Sequence, residues 1–145
     1  VHLTFQGNIV IKSLEPYTRS ILRIMAGFIQ IEYGFNHLFA VPVGPGGPRP
    51  AAGIGTLLWY AGLLDTIGGA LIILGLLTAP VALILCGEMA YAFFFSHVPR
   101  GSILPFTNGG VPAVLLCFIY LHLVTADGGP WSLDRWIAKW HQATQ

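Results

Sequence analysis

Three acidic side chains, Glu32, Asp65 and Glu88, stand inside long apolar runs, and Arg23 stands inside the first of those runs. An ionised group at the centre of a membrane helix costs about 2.5–3.5 kcal/mol on insertion scales, so such groups turn toward protein or water. Carboxyls in that setting have three uses. They exchange protons, they hold the polar head of a lipophilic ligand, or they hydrogen-bond one helix to another. With a rise of about 1.5 Å per residue, Asp65 and Glu88 fall near the middle of their runs and Glu32 a few residues outward of the middle of its own. Three carboxyls at similar depth, one per helix, form a constellation. They cannot all stay ionised at close range in low dielectric, so some are expected to be neutral or to pair with Arg23, Arg49, Arg100 or a histidine.

Helical spacing sorts the neighbours of these groups. Arg23, Gly27, Gln30, Gly34 and His37 make one stripe of the first helix, and Glu32 and Asn36 lie nearly opposite. A helix polar on two faces needs a protein neighbour on both. In the second helix Gly62, Asp65 and Gly69 share a face with Gly68 beside it, where small residues let another backbone approach closely. Glu88 shares its face with Tyr91 and Phe95. The expected polar cluster is therefore Glu32, Asp65, Glu88, Arg23, Asn36 and His37, with Gly27, Gly34, Gly62, Gly68 and Gly69 as packing positions.

Other chemistry is not signalled. Cys86 and Cys117 lie in apolar runs without metal or redox spacing and are expected to be small core residues; a disulfide between neighbouring helices stays open. His37, His97 and His122 sit at helix ends or near loops and lack a bis-histidine haem arrangement. There is no G-x-G-x-x-G after a strand, no G-x-x-x-x-G-K, no H-E-x-x-H and no G-x-S-x-G. No catalytic residue, metal site or intrinsic cofactor is expected, and a quinone or lipid is the ligand class considered.

The elements that must position these residues follow from hydropathy. Spans of the length that crosses a bilayer occur at about 17–41, 54–77, 80–98 and 111–125. Their continuous apolar runs do not alternate as barrel strands would, and helices satisfy every backbone group internally. The expected fold is an all-α polytopic membrane four-helix bundle, one domain over residues 8–145, with residues 1–7 set aside as a tail of uncertain origin. Thr78-Ala79 is expected to be a very tight turn between the second and third helices. Pro and Gly in residues 41–55 predict a surface loop. Residues 132–142 predict a short amphipathic interfacial helix capped by Ser132, with Asp134 in its first turn and Trp131, Trp136 and Trp140 as interface anchors.

Composition agrees. Hydrophobic residues make up 54% and charged residues 9%, against about 25% charged in soluble domains, and the mean hydropathy is +0.70. A net charge of +1 offers no basic patch, so nucleic acid is not expected as a partner. Lys12, Arg19, Arg135 and Lys139 fall on one side and Arg49 and Arg100 on the other, which predicts cytoplasmic termini.

The chain resembles the DoxX family of small four-helix membrane proteins. The likeness rests on residues 20–39, with Arg23, Gly27, Gly34 and His37; on residues 62–78 continuing through Glu88-Met89-Ala90; and on G-P-W-S-L-D-R-W at 129–136. The family usually has Glu where this chain has Asp65, which moves the carboxyl back by one methylene. The resemblance implies a bacterial or archaeal cytoplasmic membrane and the same fold, and it associates relatives with quinone-linked electron transport and redox-stress assemblies. The leading expectation is a non-catalytic accessory subunit of a larger, energy-converting membrane complex, with membrane lipids and other membrane subunits as partners. A quinone-linked component with an intramembrane carboxylate relay is the first alternative, and a small transporter or lipid-binding module the second.

Overall fold

The computed structural model describes the backbone of residues 2–44 and 46–144 and the side chains of residues 12–44 and 46–144. Among these residues the chain is helical, with no strand. The elements are α1 (His2–Phe39), α2 (Leu57–Leu74), α3 (Thr78–Ala92), the one-turn α4 (Pro105–Asn108), α5 (Val111–Ala126) and α6 (Leu133–Ala143).

Several expected boundaries move, each for a local reason. α1 begins at His2 and not near residue 17, so residues 2–7, set aside as a tail, are helical, and Pro16 lies inside the helix. Val1 lies outside the described residues. α2 is shorter than residues 54–77 because glycines punctuate both ends. Gly55 has φ 83° and Gly75 has φ 66°, a left-handed conformation that glycine adopts without a Cβ penalty. Thr56 caps the start by accepting from the Trp59 N–H, and the Gly75 and Leu76 N–H groups close the end on Ile72 and Leu71. The α2–α3 turn is therefore Gly75–Leu77, not Thr78-Ala79, and Thr78 already belongs to α3. α3 runs on through a π-helical turn, Phe93–His97, and a 3-10 turn, Val98–Arg100. Pro99 has no N–H to continue the α ladder, and Gly101 ends it.

α1 packs along α2 and α3 along α5; contacts of α2 with α3 and of α1 with α5 join the two pairs. The α1–α2 seam is a backbone contact. A Cβ added to Gly27 would lie 2.7 Å from the Gly69 carbonyl oxygen, and one added to Gly69 would lie 2.7 Å from that of Gly27. At Gly34 a Cβ would meet the Thr66 nitrogen at 2.7 Å, and Gly68 faces Leu85 of α3. The buried core is Ala26, Ile72, Ala82, Leu85, Met89, Phe93, Ala113, Leu116, Tyr120 and Leu123.

Outward, large apolar side chains are exposed on α2, α3 and α5, among them Ile67, Leu83, Phe95 and Phe118. A molecule in water does not leave apolar surface of that extent uncovered. Two stretches, Leu57–Leu74 and Thr78–Arg100, are long and apolar enough to cross a bilayer, and α5 is apolar but shorter.

Candidate functional site: a buried carboxyl pair between the helix seams

The α1–α2 close approach brings polar groups of α1 against Asp65, which is buried. The Gln30 side-chain amide donates to Asp65 Oδ1. His37 Nδ1 lies 3.1 Å from Asp65 Oδ2. Tyr120 of α5 donates its hydroxyl to Gln30 Oε1 at 2.8 Å, so Gln30 links α2 to α5 through α1. Glu88 of α3 comes within electrostatic and hydrogen-bonding reach of Asp65, and its Oε2 is buried without a donor of its own. The site is therefore the buried Asp65 held by Gln30 and His37, with Tyr120 behind Gln30 and Glu88 close by. Two carboxyls in contact can share one proton where neither could keep a lone charge. His37 is the edge of the cluster: its side chain is 26% exposed against 2% for Asp65.

Of the six residues expected to cluster, the structure brings together Asp65, Glu88 and His37. Glu32 stands apart. It sits two residues from Gln30, which carries it to the far side of α1, where it is exposed. There it lines a cleft of about 400 Å³ with Ile29, Tyr33, Asn36, Val43 and Arg49. Asn36 is also on that side, and its amide donates to the Pro42 carbonyl at 2.7 Å, tying the loop to α1. Gln30 and Tyr120 were not singled out as members of the cluster. Gln30's place on the Arg23–His37 stripe was the available signal, whereas a tyrosine in an apolar helix has no spacing that marks it.

Arg23 belongs to a different site. It is fully buried, yet it pairs with none of the carboxyls. Its guanidinium donates to the carbonyls of Ile72 and Ile73 at the end of α2. It also donates to Gly128 at 2.8 Å and Trp131 at 2.9 Å. Carbonyls at a helix C-terminus carry partial negative charge and lack intrahelical donors, so a cation there is stabilised without a counter-carboxylate. Asp134 completes the joint. Its two carboxylate oxygens accept from the Leu77 and Thr78 N–H groups at 2.7 and 2.8 Å, capping α3 rather than serving only its own helix. Its own N–H donates to the Gly75 carbonyl at 2.9 Å. The G-P-W-S-L-D run is thus folded over the α2–α3 turn. Ser132 caps α6 by accepting from the Arg135 N–H, and Trp131 packs edge-on against Tyr17 with ring centroids 5.9 Å apart. Beside this joint Arg19 pairs with Glu15 and Asp127 at 2.7 and 2.8 Å.

At the opposite end α4 lies in the segment between Arg100 and α5. Asn108 of α4 is buried, and its carbonyl lies 3.2 Å from His97 Nδ1. Arg49 lines the Glu32 cleft.

Comparison with known proteins adds the family. The DoxX family model matches residues 18–98. A protein of Haemophilus influenzae described as an uncharacterized protein is 36% identical over 127 residues, which is 86% of this chain and 94% of the relative. No solved structure matches the chain.

Proposed function

Because the chain belongs to the DoxX family of membrane proteins, we propose that it is a proton-handling subunit of a larger, energy-converting membrane assembly. In this reading α1, α2, α3 and α5 are four membrane helices, and α6 rests at the cytoplasmic surface with both termini on that side. The cation distribution supports the orientation. Lys12, Arg19, Arg135 and Lys139 share one end, and Arg49 and Arg100 the other.

The observation that carries the proposal is the buried, partnered Asp65 with the unpartnered Glu88 oxygen within electrostatic reach of it. Asp65 has Gln30 and His37 as partners, while Glu88 Oε2 is buried without one. A proton held by the two carboxyls removes one like charge. His37, the partly exposed member, is then the group through which the proton reaches the outer side. A proton moved across part of a bilayer performs work only when another reaction drives it or uses it. The reading therefore implies a partner that carries the redox or transport step, and it keeps this chain non-catalytic. Replacing Glu88 by Gln and Asp65 by Asn in native membranes tests it. Both variants assemble, and the proton-coupled activity of the assembly falls at least tenfold. Unchanged activity with intact assembly removes the relay.

A second reading rests on the cleft at Glu32. Tyr33 and Arg49 offer donors to the polar head of a lipophilic ligand, a quinone or a lipid, and Ile29, Pro42 and Val43 supply apolar walls. Photo-crosslinking with an azido-quinone tests this: label on residues 29–49 that Arg49→Gln abolishes supports it, and label confined to other helices overturns it.

A further inference from the structure

We propose that Cys86 and Cys117 form an oxidisable dithiol, closed to an intramolecular disulfide by a lipid-soluble hydroperoxide. The two sulfurs are 3.6 Å apart, one on α3 and one on α5, across the seam where those two helices pack. Both thiols are free, and both are only partly buried. They pack against the edge of the core rather than in its centre. In a bilayer the medium at that edge is hydrocarbon. An oxidant that reaches it must partition into lipid, whereas a charged, water-borne disulfide is kept out.

The chemistry balances on two electrons. One thiol gives up its proton and attacks the peroxide, whose O–O bond breaks to leave a sulfenic acid and an alcohol. The other thiol displaces the hydroxyl as water, and the S–S bond forms. The hydroperoxide is reduced, and the two thiols are oxidised. Bond formation needs the sulfurs, already in contact, to close from 3.6 Å to about 2.05 Å. The product ties α3 to α5 one helical turn from Tyr120, the residue through which α5 joins the buried polar cluster.

The test uses the wild-type chain in nanodiscs treated with cumene hydroperoxide under conditions that leave methionine intact. Intact mass should show loss of two hydrogens, and peptide mapping should give a single cross-link between Cys86 and Cys117. Oxidised glutathione should leave both thiols free to alkylate. Cys86→Ser and Cys117→Ser should each stop at an oxygen adduct without a cross-link. Two alkylatable thiols after peroxide, independent oxidation of each cysteine, or a disulfide between two chains would overturn the proposal. Closure by oxidised glutathione at a comparable rate would overturn its lipid-facing part.

Discussion

Arg23 and Asp65 are both buried ionisable residues, and they are held by opposite strategies. Arg23 spreads its charge over four carbonyls at one end of the α1–α2 seam. Asp65 relies on side chains from α1, Gln30 and His37, and in the proposed reading shares a proton with Glu88. The guanidinium fork is what lets one cation serve several acceptors; a lysine is a point charge with three donors. Arg23→Lys therefore lowers stability in detergent by on the order of 2–3 kcal/mol, the worth of one charge-assisted hydrogen bond left unmade. Reversible unfolding monitored by circular dichroism measures it, and an unchanged midpoint would show that the carbonyls are satisfied without the fork. The depth of Asp65 and Glu88 was legible in the sequence, because rise per residue converts position to height. Glu32 was expected in the cluster because depth grouped it with the others, and its place two residues from Gln30 sets it instead on the far, exposed side of α1. The face of Gln30 was legible from the stripe it shares with Arg23 and His37, but its partner Asp65 was not, and nothing in the sequence marked Tyr120, whose role depends on its contact with Gln30.

At the scale of elements, two joints fix the geometry. One is the glycine seam of α1 and α2. Gly69→Ala places a methyl against the Gly27 carbonyl, where backbone must shift, and costs about 1–3 kcal/mol. Gly87→Ala is the control: a Cβ there meets nothing within 4 Å, and the helix gains up to about 1 kcal/mol. Thermal stability of the two variants in one detergent should move in opposite directions, and equal losses would deny the seam its special role. The other joint is the cap that Asp134 places on α3. Asp134→Ala costs about 0.5–2 kcal/mol of cap, and hydrogen exchange at the Leu77 and Thr78 amides accelerates up to roughly thirtyfold. Protection unchanged at those two amides would contradict it. Sequence reasoning put Asp134 in the first turn of its own helix, because capping rules are local. The amides it caps are 56 and 57 residues away, and no spacing rule reaches that far. Helix ends were displaced for a related reason: hydropathy extends through Gly55 and Gly75, but backbone conformation stops there.

At the scale of the whole molecule, the chain is a polar thread wrapped in apolar surface. Charged joints lie at the end that carries the α2–α3 turn, the carboxyl pair lies between the seams, and the exposed faces of α2, α3 and α5 are apolar. α6 also exposes large apolar side chains. Trp136, Ile137 and Trp140 are exposed on it, with Trp136 and Trp140 in ring contact at 5.5 Å, and the proposed reading places them as anchors in the headgroup region. In vesicles, lipids brominated near the headgroup should quench tryptophan fluorescence from a variant that keeps only Trp136 and Trp140 more than lipids brominated deep in the chains. The reverse order would place α6 elsewhere.

The central claim is that a proton resides between Asp65 and Glu88 inside the bilayer. Infrared spectroscopy of the protein in lipid at neutral pH tests it most directly, through the carbonyl stretch of a protonated carboxylic acid. The account predicts one such band in the wild type, shifted by exchange into heavy water and absent from Glu88→Gln and from the Asp65→Asn, Glu88→Gln double variant. A wild-type spectrum in which every carboxyl absorbs as carboxylate at neutral pH would contradict the claim.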